Sequence, residues 1–121
     1  MAENKFDQRR CHRIWITLDA KLRDMKEDKF AYNGTILDIS ALGLKITTKK
    51  LFNVGQKLYV EFAISDDKKL TVETHIVHHQ ELFLFGHFVN QYGLKLSDAM
   101  KEDEREFIRY FIKQYAKEKI V

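Results

Sequence analysis

Only one cysteine, Cys11, stands among the 121 residues, so no intrachain disulfide can form and an oxidising compartment has no support. Long apolar runs are also missing. The longest, Leu82-Phe83-Leu84-Phe85, falls far short of the roughly 20 residues needed to cross a bilayer. The segment from Met1 to Gln8 is polar and carries no apolar run of leader length. Together these absences lead to the expectation of a cytoplasmic protein without membrane insertion. No Gly-rich phosphate loop is present, no nucleophile stands beside a base, and carboxylates do not pair beyond ordinary surface charge. The expectation is therefore a protein that is not an enzyme. His75, His78, His79 and His87 invite a metal reading, with His75 and His79 on one strand face. The cysteine is distant, however, and no Asp/Glu–His spacing typical of catalytic zinc appears, so no metal is expected.

What is present is ample for one domain. A chain of this length buries about two-thirds of its unfolded surface, and 45% apolar and 12% aromatic residues supply a core. The charged fraction is 32% but the net charge is only +3. That mild excess does not suit a protein that coats a polyanion, so any affinity for phosphate must be local.

No repeat, low-complexity tract or linker interrupts the chain. Alternation begins after Arg13: Ile14, Ile16, Leu18, Ala20 and Leu22 interleave with Trp15, Thr17, Asp19 and Lys21, the pattern of a half-buried strand. Further strands are predicted over Phe30–Ser40, with a break near Asn33-Gly34, and over Gly43–Thr47 and Gln56–Ile64. Leu70–His79 and a segment ending at Leu96 form a hairpin, with its tip between Gln80 and Gly86. Many short strands separated by turn signals argue for an antiparallel barrel or a sandwich. The period then changes. Met100, Glu104, Phe107, Ile108, Phe111, Ile112 and Tyr115 recur at helical spacing, with Glu102, Asp103 and Glu104 in the first turn and Lys113, Lys117 and Lys119 late. That charge order complements the helix dipole. The apolar stripe must lie on the barrel, over one open end.

Two stretches carry chemistry. Arg9-Arg10-Cys11-His12-Arg13 puts three guanidiniums in five residues before the first strand. Such a cluster is either a solvated basic tail or an anion clamp. A guanidinium forks onto phosphate, or onto the O6/N7 edge of guanine, and stacks on purine faces. The second stretch is Asp38-Ile39-Ser40-Ala41-Leu42-Gly43. Residues two apart in a strand share a face, so if Leu37 and Ile39 face the core, Asp38 and Ser40 project outward together. Asp38 can accept the N1–H and N2–H₂ donors of guanine, and Ser40 can donate to a phosphate or carbonyl oxygen. Gly43 would supply a positive φ or a close backbone approach. The alternative is a turn stabilised by Asp and Ser side chains.

In combination, an RxxxR element at Arg9 and Arg13 followed by DxSxxG at Asp38, Ser40 and Gly43 resembles the PilZ domain family, over nearly the whole chain. Gly93-Leu94-Lys95-Leu96 and the closing helix extend the likeness, although Leu96 stands where the family often has Phe, and the preceding hairpin is longer than usual. The resemblance implies a six-stranded antiparallel PilZ-type β-barrel capped by one α-helix, with cyclic di-GMP as ligand. It implies a tail over residues 1–13 carrying the clamp, and a barrel plus helix over 14–121. Arg9 and Arg13 would hold phosphates and guanine edges, with Arg10 a third contact. Asp38 and Ser40 would line base and phosphate, with Gly43 shaping the turn. The function it implies is a cyclic di-GMP receptor whose tail orders on binding and signals to an effector protein, in motility, biofilm, exopolysaccharide or virulence control. Two alternatives stay open. One is an adaptor without nucleotide binding, which the apolar run Leu82–Val89 would serve. The other is a small-barrel binder of single-stranded nucleic acid using Trp15, Tyr32, Tyr59 and Phe88.

Overall fold

The computed structural model describes residues 13–98 and 100–119. Six strands follow one another: β1 (Arg13–Asp24), β2 (Tyr32–Ser40), β3 (Gly43–Thr48), β4 (Lys57–Ser65), β5 (Lys68–Leu84) and β6 (His87–Leu96). One helix, α1 (Glu102–Lys119), ends the described chain. All strand pairs are antiparallel, in the closed order β1-β2-β3-β6-β5-β4. The chain thus forms a barrel rather than a sandwich. Closure leaves no sheet edge along the barrel wall.

The strands form where alternation demands them. Ile16, Ala20 and Leu22 of β1, Leu58, Val60 and Phe62 of β4, and Leu70, Val72 and Ile76 of β5 fill a single buried cluster. Each fully buried side chain of this size contributes roughly 1.5–3 kcal/mol. Tyr92 is fully buried within the cluster, and its hydroxyl is satisfied there. It accepts from the Phe52 N–H at 2.7 Å and donates to the Lys50 carbonyl at 3.1 Å. Burial raises its pKa. The loop between β3 and β4 is thereby pinned to the barrel.

The helix closes the end that carries the β2–β3 and β4–β5 turns. Ile108 and Ile112 enter the core, and Met100 and Phe111 pack at its margin. Phe107 departs from the expected stripe: it is 43% exposed, with the Lys68 ammonium 4.7 Å from its ring centroid. No helix among the described residues is long and apolar enough to cross a membrane.

Several boundaries differ from the sequence reading. β1 reaches Asp24 and β5 reaches Leu84, because hydrogen-bonded pairing continues past the last core-facing residue. β2 shows no break at Gly34, which stands opposite Ala20 within the ladder. The β5–β6 turn is confined to Phe85 and Gly86, both with positive φ, 52° and 81°.

Candidate functional site

The site forms where β1 begins and β2 ends. Asp38, Ser40 and Gly43 fall together at the β2–β3 junction, and register sets Arg13 opposite Ser40 and Trp15 opposite Asp38. Arg9 and Arg10, with Cys11 and His12, lie outside the described residues, and of Arg13 only the backbone position is described.

A bulge in β2 decides which way Asp38 points. Ile36 pairs with Ile46 of β3, whereas Asp38 pairs with the adjacent Lys45, leaving Leu37 as the extra residue. Ile36 and Ile39, three apart, therefore both face the core. Leu37, expected in the core beside Ile39, is only half-buried and yields its place to Ile36. Without the bulge Asp38 would share the face of Ile36 and point into the barrel. Asp38 and Ser40 do share the outer face, but they are not exposed there, at 1% and 3%. The Asp38 carboxylate lies 3.7 Å from the Lys45 ammonium.

Ser40 builds the turn. Its Oγ accepts from the N–H groups of Leu42 and Gly43, each at 3.2 Å. The serine-stabilised turn is thus observed. Gly43 has no positive φ. It is there for close approach: a Cβ would stand 2.3 Å from the Leu94 carbonyl oxygen of β6. A residue that sequence reasoning missed locks the same turn from the helix. Arg105 donates to the Ala41 carbonyl at 3.0 Å and the Ser97 carbonyl at 2.7 Å. Set between Glu104 and Glu106, it carries no sequence signal that separates it from a surface charge.

Registers also collect basic side chains that the sequence scatters. Lys45, Lys95, His75 and Lys57 each flank buried residues and so face outward. Lys95 pairs with Gly43 on one side and His75 on the other, and His75 pairs with Lys57. Between Lys45 and His78 lies Gly93, whose missing side chain leaves the outer surface low. The arrangement is a basic, partly aliphatic wall beside a buried carboxylate. Chemically it suits a ligand with both phosphates and hydrogen-bond donors.

The fold and this turn define a class of small closed barrel whose β2–β3 junction is built by DxSxxG. The PilZ domain family matches residues 7–114, and the chain belongs to that family. Among solved structures it is similar to the PilZ domain of YcgR from Escherichia coli, determined with c-di-GMP (TM-score 0.69, 9% identity, 93% of this chain against 97% of that one). It is also similar to the MrkH–c-di-GMP complex of K. pneumonia (TM-score 0.68, 19% identity, 91% against 54%). A third likeness is to the Bacillus subtilis inhibitor of motility MotI (TM-score 0.62, 15% identity, 87% against 50%). The chain spans about half the length of MrkH and MotI. No curated protein sequence matches it.

Proposed function

We propose that this protein is a receptor for cyclic di-GMP, reading the nucleotide without reacting with it. The observation that carries the reading is the register that sets Arg13, the second arginine of RxxxR, directly opposite Ser40 of DxSxxG. Two stretches distant in sequence thereby become one locus. The outward Lys45 and Lys95 add the positive potential a ligand with two phosphodiesters needs.

In this reading Arg9 and Arg13 fork onto phosphates and the Hoogsteen edges of the guanines, with Arg10 as a third contact. Asp38, on the outer face, accepts guanine N–H donors in exchange for Lys45. Ser40 and Gly43 keep the β2–β3 turn tight beneath the ligand. Residues 1–12 act as a tail distinct from the barrel, with Arg13, expected in that tail, already held in β1 opposite Ser40. Their arginines repel one another until the dinucleotide neutralises them and orders the segment into a surface for an effector protein. Regulation of motility, biofilm, exopolysaccharide or virulence would follow from that effector.

Isothermal titration with cyclic di-GMP, beside GTP and cyclic di-AMP, tests the reading. Saturable binding of the guanine cyclic dinucleotide alone supports it. Folded protein that ignores this molecule at tens of micromolar rejects it and leaves the adaptor reading.

A further inference from the structure

Beyond Ile76, β5 parts from β4. Lys57 of β4 pairs with His75, and Gly55 and Gln56 hold both backbone groups of Ile76. After that, Val77–Leu84 has β6 as its only strand partner among the described residues. On the other side β3 ends where Thr48 pairs with Asn90. The stretch flanked by neither β3 nor β4, Leu82–Val89, is therefore a two-stranded hairpin that projects roughly 10 Å beyond the barrel end opposite the helix.

This hairpin is built unlike a solvated one. Phe83 and Phe88 pack edge-to-face at 4.9 Å yet are 61% and 64% exposed, and Phe85 at the apex is 97% exposed. Glu81 is its sole formal charge between Val77 and Asn90, and neither lysine nor proline guards the edge. Isolated hairpins are marginal in water, and unguarded edges template further pairing. A bilayer is a poor occupant, since hydrocarbon leaves outward N–H and C=O groups unsatisfied. Another strand supplies them.

The turn fixes which groups those are. Two positive φ values at Phe85 and Gly86 make a type I′ turn, so Leu84·His87, Leu82·Val89 and Gln80·Gln91 are the hydrogen-bonded pairs. The backbone groups of His79, Glu81 and Phe83 then point outward. The β5 bulge at Val77, between Ile76 and His78, brings the outward set to His79 after Ile76.

We infer that Val77–Leu84 is a dimerisation strand, pairing antiparallel with the same strand of a second copy about a two-fold axis at Gln80. Two-fold self-pairing that joins outward residues has a short choice of registers. Centring on Glu81 sets Glu81 against itself, a like-charge clash. Centring on Gln80 sets His79 against Glu81 of the second copy, twice, and Phe83 against Val77. Pairing stops at Val77 because Gly55 and Gln56 occupy the edge beyond. The apex Phe85 is thereby delivered beside Val54, itself 61% exposed. The inference does not depend on any nucleotide.

Sedimentation analysis of the full chain without nucleotide tests it. The expected result is a monomer–dimer equilibrium that Glu81→Lys weakens at least about tenfold, since each of the two cross-strand pairs with His79 loses its carboxylate acceptor. The double variant His79→Glu/Glu81→Lys should restore it. In a Cys11→Ser background, Gln80→Cys should form an intermolecular disulfide on mild oxidation, because the axis brings its two copies within bridging distance. Leu82→Cys should not. A monomer up to several hundred micromolar would overturn the inference. So would a dimer indifferent to Glu81→Lys, absence of the Gln80→Cys bridge, or binding of the monomer to anionic vesicles through Phe85.

Discussion

Gly43→Ala should damage both fold and site. The added methyl would stand 2.3 Å from the Leu94 carbonyl oxygen and 3.4 Å from its carbon. Carbon and oxygen normally keep more than 3 Å apart, and the obstacle here is backbone, which no rotamer change can move. β3 must shift from β6 where Gly43 pairs with Lys95. Forcing a methyl into a packed position costs about 1–3 kcal/mol. For a domain of this size that corresponds to a melting temperature lower by roughly 4–15 °C. Gly93→Ala is the control, because its Cβ meets the nearest atom, His78 Cβ, at an ordinary 3.4 Å. It should stay within about 0.5 kcal/mol of the parent. Thermal and urea denaturation of the three proteins, with titration of cyclic di-GMP, would read both effects. Equal stability of Gly43→Ala and Gly93→Ala would refute the close-approach argument, whatever happened to binding.

Arg13→Ala should lose a charge-assisted contact and weaken cyclic di-GMP roughly ten- to a hundredfold with unchanged melting; calorimetry showing equal affinity removes Arg13 from the site. Tyr92→Phe should cost about 1–3 kcal/mol in urea denaturation, because the buried Phe52 N–H loses its acceptor. Arg105→Ala should raise amide exchange at residues 41–43 by untying the Ala41 carbonyl; unchanged exchange would make the contact incidental. Asp24 has its pKa lowered below 3.8, first by the Lys26 N–H and then by the Gln56 side chain. Its stabilising share is therefore complete above its unfolded pKa and lost as pH falls through the lowered folded one. Asp24→Asn should lose less stability than the parent as pH falls below about 3.8, and parallel denaturation curves would contradict this.

Local physics made much of the protein legible. Alternation in Gln56–Ile64 placed β4 to within a residue, since each side chain's face is set by its own backbone. The helical stripe placed Ile108 and Ile112 in the core for the same reason. Asp38, Ser40 and Gly43 were found as a motif because turn chemistry is confined to neighbours in sequence. The conjunction with Arg13 was legible as a family pattern, not as geometry.

What escaped depends on partners far along the chain. The Leu37 bulge is visible only against β3, and it alone turns Asp38 outward and Ile36 in. The basic row of Lys45, Lys95, His75 and Lys57 exists because three strand pairings stack residues up to fifty positions apart. Arg105 acquires a task only when the helix meets the Ala41 carbonyl. The amino-acid order by itself settled which residues prefer strand, turn or helix, because those preferences are summed within a few residues. Tertiary structure decided register, and register chose the neighbours of each charge, because hydrogen-bonded pairing across a closed barrel admits one alignment at a time.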